Sequence, residues 1–116
     1  MKHAERDRLF CLRELFTLTE VFLRVYKDPK YTMVAACDSD LLGETFREGK
    51  LKLEVRRDFY AGVRTTVVDA LAAIDTADIA NLVGEAIVEA AVSRSLVDPS
   101  AVLHIGGVPH VQIVRM

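Results

Sequence analysis

The sequence predicts an α+β domain, in which a small mixed or antiparallel sheet of about four strands packs with two or three helices on one of its faces. Two patterns predict it: apolar residues alternate with a period of two in the first half, and they recur at helical spacing in most of the second half. A third observation is that 116 residues with 51% hydrophobic and 28% charged side chains suffice for one domain with its own core.

The strands are predicted mainly from the first half. Residues 21–26 alternate in polarity, a turn with Pro29 follows, and residues 31–37 complete a hairpin. Residues 38–43 resemble a single helical turn with Asp38 or Ser39 as its cap. Residues 49–56 form the clearest strand.

The helices are predicted from residue 66 onward. Thr66 begins a capping-box-like start for a helix over 67–74, and Thr76 caps a longer helix over 77–95. Gly84 falls inside that longer helix, where we expect another backbone to approach it closely. Asp98 and Pro99 mark a further helical start, and short extended runs follow around a bend at 106–109.

Residues 1–20 are predicted to be an appended segment, helical in character, before a single domain over 21–116. The apolar side chains of this segment fall at helical spacing: Leu9, Leu12, Leu15 and Phe16. We expect this stripe to pack on the domain or on a second copy of it, which would make residues 9–16 the contact of a homo-oligomer.

Composition excludes several classes of protein. The net charge of −2 excludes a bulk polycation, and the longest uncharged stretch, 99–114, contains two prolines and a Gly-Gly pair, so no membrane span is expected. The N-terminus does not resemble a secretory signal. Cys11 and Cys37 have no CxxC spacing, which favours free thiols in the cytoplasm. Asn81 and Gln112 are the only side-chain amides, which is typical of a thermophilic source.

Charge is distributed unevenly along the chain. Residues 1–64 carry 13 basic and 11 acidic side chains, whereas residues 65–116 carry 2 basic and 6 acidic ones. No linker separates the two parts, so we expect one domain with a polarised surface.

Three stretches resemble a known family. They are CDSDLLG with FREG at 37–49, ANLVGE at 80–85 and GGVPHVQ at 106–112. Together, over residues 21–116, they resemble the archaeal family called domain of unknown function 424, although Val111 stands where that family usually has alanine. The resemblance implies an archaeal, cytoplasmic, single-domain protein and supplies no activity.

A basic strand is the strongest signal for a partner. Residues 47–57 carry five bases against Glu48 and Glu54: Arg47, Lys50, Lys52, Arg56 and Arg57. On a strand, alternate side chains repeat every ~6.6–6.8 Å, which approximates the phosphate spacing of an extended nucleic acid. An ordinary solvated strand face is the alternative. Phe22, Arg24 and Tyr26 would extend the surface if their strand were a neighbour.

The bend at 106–110 is the second candidate. Gly106 and Gly107 could bring backbone amides close to a ligand, with His110 at the edge of the bend, or the bend could be purely structural. A metal site through His104 and His110 would need a further ligand, from Cys37 or a carboxylate, so no metal or cofactor is predicted.

An enzyme would have to be built from weaker candidates. Asn81 and Glu85 could line a polar pocket with His110, and Asp38 with Asp40 could hold Mg²⁺, although helix capping explains the same aspartate. Cys37 has no evident activating base.

The function remains unknown from the sequence. We favour a non-enzymatic module that binds nucleic acid, with RNA or the ribosome as partner. The alternatives are a small enzyme or ligand-binding domain around the Gly-Gly-Val-Pro-His segment, and a homo-oligomeric protein adaptor.

Overall fold

The computed structural model describes residues 19–115, which form eight strands and three helices. The strands are β1 (Glu20–Lys27), β2 (Thr32–Asp38), β3 (Thr45–Glu48), β4 (Leu51–Glu54), β5 (Val63–Thr66), β6 (Ile79–Val83), β7 (Leu103–Ile105) and β8 (Val108–Val114). The helices are α1 (Arg57–Tyr60), α2 (Val67–Thr76) and α3 (Glu85–Ser93). Short 3-10 turns cover Ser39–Leu41 and Pro99–Ala101.

Six strands form one mixed sheet in the order β5-β1-β2-β6-β8-β7, and β3 pairs with β4 in a separate hairpin. Only the central pair, β2 with β6, is parallel. The α+β class is therefore confirmed, but the prediction of about four strands was an undercount. Two of the missed strands, β3 and β5, have four residues each and only one apolar residue apiece, so no alternation marks them.

The largest error lies between residues 77 and 95, which we predicted to be one helix. The structure divides this range into the central strand β6, a turn at Gly84 and helix α3. Strand β6 is buried on its helix-facing side, and on its other side Ile79 and buried Val83 flank Asn81, so the strand is nearly continuously apolar instead of alternating. Thr76 consequently ends α2 and caps no following helix.

Two apolar clusters lie on opposite faces of the six-stranded sheet. Helices α2 and α3 cover one face, which we call the helix side, where Ala80 and Leu82 of β6 point. The β3–β4 hairpin and α1 cover part of the other face, over Cys37 and Val83. Two helices, α2 and α3, thus lie on one face as predicted, and the four-residue α1 lies on the opposite side.

Several local predictions are confirmed. The β1–β2 hairpin forms around the turn with Pro29. The hydroxyl of Thr66 accepts a hydrogen bond from the Asp69 amide at 3.3 Å and begins α2. Asp98 caps the 3-10 turn that starts at Pro99. None of the helices in residues 19–115 is long and apolar enough to cross a membrane. The predicted N-terminal segment lies outside the described residues, except for its last two.

Candidate nucleic-acid interface

The β3–β4 hairpin carries the predicted basic surface. Arg47 on β3 stands directly opposite Lys52 on β4, so the two side chains share one face of the hairpin. The opposite face holds Phe46 and Leu53, which pack against the sheet. We use the name basic hairpin for residues 45–54 together with Arg56 and Arg57, which follow directly. All five of its bases are exposed.

The predicted single row of bases along one strand is wrong in detail. Strand β4 covers only Leu51–Glu54, so Lys50 lies in the hairpin turn and Arg56 lies just before α1. The bases instead spread over the turn, one hairpin face and the start of a helix. Such a surface is broader than a single row, so its bases could contact the phosphates of a nucleic acid from more than one direction.

Two of the bases are partly neutralised within the chain. Lys52 forms an ion pair with Glu54, and Arg56 donates two hydrogen bonds to the Asp58 carboxylate, at 3.1 and 2.7 Å. The pKa of Glu54 is lowered, first by its hydrogen bond from Lys52 and then by the nearby charges of Lys52, Arg56 and Arg47. Three bases therefore surround this one carboxylate. A shallow cleft of about 420 Å³ lies between the base of the hairpin and α1.

The aromatic strand predicted to extend this surface does not pair with β3 or β4, and its contact with the surface is made through α1. Strand β1 lies across the sheet beneath α1, where the Tyr26 hydroxyl donates to the Phe59 carbonyl at 2.7 Å. Arg24 donates to the Asp58 carbonyl and lies over the Tyr26 ring at 5.0 Å. These contacts anchor α1 to the sheet, so they have a structural role that needs no binding partner.

The Gly-Gly bend connects the hairpin to the main sheet. The Gly106 amide donates to the Glu48 carboxylate at 3.0 Å, and a side chain at Gly106 would lie 3.1 Å from the Arg47 carbonyl oxygen. Gly106 is therefore a docking point for the hairpin, which favours the structural interpretation of the bend. Gly107, with a φ of +82°, has open space around it.

Within residues 19–115, the other half of this sheet face has no helix or hairpin packed over it, and its residues are half-buried or exposed. Asn81 on β6 lies directly opposite Gln112 on β8, so the only two side-chain amides of the sequence form one cross-strand pair. His110 lies two residues along β8 from Gln112, opposite Val83. We call this surface the open sheet face. Its residues are Met33, Ile79, Asn81, Leu103, His110, Gln112 and Val114.

The polar groups of the open sheet face are uncharged. Burial lowers the pKa of His110, so its imidazole is neutral near pH 7 and has one donor and one acceptor. The Asn81 amide contacts only the Met33 sulfur, at 3.9 Å, among the hydrogen bonds of the described side chains. Exposed aliphatic residues lie beside these groups, since Leu103 is 58% and Val114 60% exposed. Gln112 was not among our candidate site residues; its scarcity in the sequence was the only signal.

The predicted pocket of Asn81, Glu85 and His110 is wrong. Glu85 is an exposed residue of the first turn of α3, on the helix side, whereas Asn81 and His110 lie on the other face of the sheet. The two-histidine metal site fails for the same reason, because His104 pairs with Pro109 on the helix side. Residues 19–115 contain no group of three metal-ligating side chains placed to hold a metal ion.

Asp38 has a structural partner across the sheet. Its carboxylate accepts hydrogen bonds from the amides of Ala86 and Ile87, at 2.9 and 3.1 Å, and so caps α3 instead of the turn that follows it in sequence. Burial raises the pKa of this carboxyl despite those bonds. Capping, not Mg²⁺ binding, therefore explains Asp38. Burial also raises the pKa of the Cys37 thiol to about 12, which argues against a nucleophile.

The comparisons agree with the resemblance found in the sequence. The model of a family described as "Protein of unknown function (DUF424)" matches residues 26–116. An uncharacterised conserved protein from Methanopyrus kandleri has a similar crystal structure, with a TM-score of 0.68 and 26% identity. That match covers 81% of this chain and 90% of the other. No curated protein matches the sequence.

Proposed function

The chain belongs to the DUF424 family, whose function is unknown, and we propose that it binds single-stranded RNA through the basic hairpin and the adjoining open sheet face. The main support for the proposal is that the basic hairpin and the open sheet face lie next to each other. The basic hairpin packs over one half of a sheet face, and the other half, which no helix or hairpin of residues 19–115 covers, carries neutral hydrogen-bonding groups.

Charge supports a role for the hairpin in phosphate contact. Residues 43–64 carry six basic and four acidic side chains, although the whole chain is acidic. Helices α2 and α3 carry Asp69, Asp75, Glu85 and Glu89 and no base. A polyanion is therefore attracted to the hairpin side and repelled from the helix side, which would orient it before contact.

The open sheet face supports base contact. Side-chain amides and a neutral imidazole can both donate and accept, as recognition of unpaired base edges requires. Aliphatic side chains beside them offer apolar contact to the base rings. Apart from the His110 imidazole, the named residues of this face include no aromatic side chain for stacking, so we expect modest affinity with little sequence preference.

The structure offers less to the alternatives. An enzyme built on Asn81, Glu85 and His110 would need the three groups within hydrogen-bonding reach of one substrate, and the sheet separates them. The open sheet face needs no such convergence, because each of its groups can meet a different nucleotide.

The test is a titration of mixed-sequence single-stranded RNA at two salt concentrations. If about four bases contact phosphates, log K falls with log salt at a slope of about −0.7 × 4, or roughly −3. Binding then weakens about 50-fold between about 50 and about 200 mM salt. The double variant Arg47→Ala/Lys52→Ala should reduce the magnitude of the slope by about 1.4.

A matched control removes the same charge elsewhere. Lys27 and Lys30 are exposed at the β1–β2 turn, away from the hairpin, so Lys27→Ala/Lys30→Ala should leave the slope unchanged. Both double variants must keep the parent's thermal midpoint. No binding at low salt, or equal slopes for the two double variants, would show that the hairpin is only a solvated surface.

The base-contact half of the proposal has its own readout. Gln112→Ala removes an uncharged side chain, so it should lower the affinity by a similar factor at both salt concentrations and leave the slope intact. A change in slope, or no change in affinity, would contradict base contact by the open sheet face. It would leave the role of the hairpin untouched.

A further inference from the structure

A groove of about 380 Å³ lies on the helix side, between α3 and the segment from Pro99 to Pro109. Its lining is mostly apolar, with Val88, Val92 and Val102 among the side chains. Glu85 and Glu89, one helical turn apart and both exposed, form an acidic rim on one side. The proposed RNA surface uses none of these residues.

We propose that residues 1–18 of this chain dock in this groove, with their apolar stripe on its valines and their arginines beside Glu85 and Glu89. The inference does not rest on RNA binding, since the groove and the basic hairpin lie on opposite sides of the sheet.

The segment leaves the domain at the same end of the sheet as the start of the groove. The Thr19 carbonyl accepts a hydrogen bond from the Val67 amide, at the end of the sheet where β1 begins. Pairing across the sheet puts the start of α3 at this same end, because Val21 pairs with Asp38 and the next residues in line are Gly84 and Pro109. The segment therefore enters at the end of the sheet at which the groove opens.

The length of the segment fits the distance. From β1 to β7 there are four strand spacings in the sheet order, or about 19 Å. A helix over residues 9–16 would be about 12 Å long, and residues 17–19 add about 10 Å when extended. The sum of about 22 Å is enough to cross the start of α3 and bring Leu9 and Leu12 over the groove.

The chemistry of the segment complements that of the groove. Arg13 lies four residues after Leu9, and Arg8 lies four residues before Leu12, so a helix would hold both guanidinium groups beside the apolar stripe. Residues 1–18 carry four bases and three acids, whereas the rim residues of the groove are acidic. An apolar strip flanked by arginines suits a valine-lined groove with two glutamates at its edge.

The tether favours the chain's own segment over a second copy. A short linker holds the segment at an effective concentration in the millimolar range, which is far above ordinary protein concentrations in the cell. A second copy would have to overcome that advantage with additional contacts.

The test is disulfide trapping in the full chain, because the segment contains a natural thiol, Cys11. Glu89→Cys places a partner thiol on the rim of the groove, and Asp69→Cys places one at the start of α2, next to the residue from which the segment emerges. A disulfide requires Cα atoms about 4.4–6.8 Å apart. Buried Cys37 stays in both variants as an unreactive thiol.

Under mild oxidation, docking predicts intramolecular bridging to Cys11 at least about tenfold faster in Glu89→Cys than in Asp69→Cys. Adding Val92→Glu should abolish that preference, because a charge in the valine lining opposes the apolar contact. Equal rates, or faster bridging in Asp69→Cys, would show an undocked segment. Covalent dimers in Glu89→Cys would show that a second copy occupies the groove, and would overturn the proposal as well.

Discussion

The substitution Gly84→Ala tests the turn between β6 and α3. Gly84 has a φ of +118°, a backbone conformation that residues with a side chain rarely adopt. A Cβ at this position would lie 2.3 Å from the carboxylate carbon of Asp38 and 2.6 Å from both of its oxygens. The substitution therefore adds backbone strain and pushes the buried carboxylate away from the start of α3.

The expected loss of stability has two parts. Backbone strain at such a φ costs about 1–3 kcal/mol. Displacing Asp38 from the amides of Ala86 and Ile87 adds the loss of a helix cap, about 0.5–2 kcal/mol. We expect the free energy of unfolding to fall by about 1.5–5 kcal/mol, measured by denaturant titration of the full chain.

The control is Gly107→Ala. Gly107 also has a positive φ, +82°, but a Cβ there would meet nothing within 4 Å, so this variant carries the strain without the collision. The difference between the two variants estimates the cost of moving Asp38. In an Asp38→Ala background there is no carboxylate to displace, so Gly84→Ala should destabilise the protein less. The coupling energy between the two substitutions should be about 1 kcal/mol.

A stabilised Gly84→Ala variant would refute this account. Alanine is about 1 kcal/mol better than glycine inside a helix, so stabilisation is the result expected if residues 77–95 formed one continuous helix. Additive effects of Gly84→Ala and Asp38→Ala would leave the turn in place but refute the contact with the carboxylate.

Three further predictions concern single side chains. The Arg115 guanidinium donates to the carbonyls of Ile74, Asp75 and Ala77 at the end of α2, so Arg115→Ala should lower the free energy of unfolding by about 1–3 kcal/mol, as measured by denaturant titration. Because the pKa of Asp38 is raised from 3.8 in the folded state, its contribution to stability should be complete below pH 3.8 and be lost as the pH rises through the raised value. In thermal melts, the wild type should therefore lose stability relative to Asp38→Asn over that pH window. The same pH dependence of stability in both proteins would contradict this prediction. With Cys11→Ser in place, a thiol reagent near pH 8 should modify Cys37 only on unfolding, because that thiol is buried and its pKa is about 12.

Local signals in the sequence predicted the elements that depend on local chemistry. The β1–β2 hairpin follows from alternation on both sides of a proline turn, and the start of α2 follows from Thr66 three residues before Asp69. In each case the decisive contact lies within a few residues of the signal. The α+β class follows because both periods occur in one chain of domain size.

Strand β6 was missed for a physical reason. Its buried residues and those of α3 together place apolar side chains at 79, 82, 83, 86, 87 and 90, which mimics the stripe of one long helix. The strand is central, and Ile79 and buried Val83 flank Asn81 on the face away from the helices, so its polarity hardly alternates. Gly84 was the one local sign of the break, and its φ is a property of the folded chain.

The candidate site depended on register more than on composition. Asn81 and Gln112 are 31 residues apart, and they meet only because β6 and β8 pair in one register. A shift of one residue would send Gln112 to the helix side, into the layer where Glu85 lies. The sequence grouped Asn81 with Glu85 because the two would stand one turn apart on the predicted helix over 77–95, where they could line a pocket with His110. Pairing instead places Glu85 on the helix side and brings Gln112 beside Asn81 on the other face, a neighbourhood that no spacing in the sequence indicates.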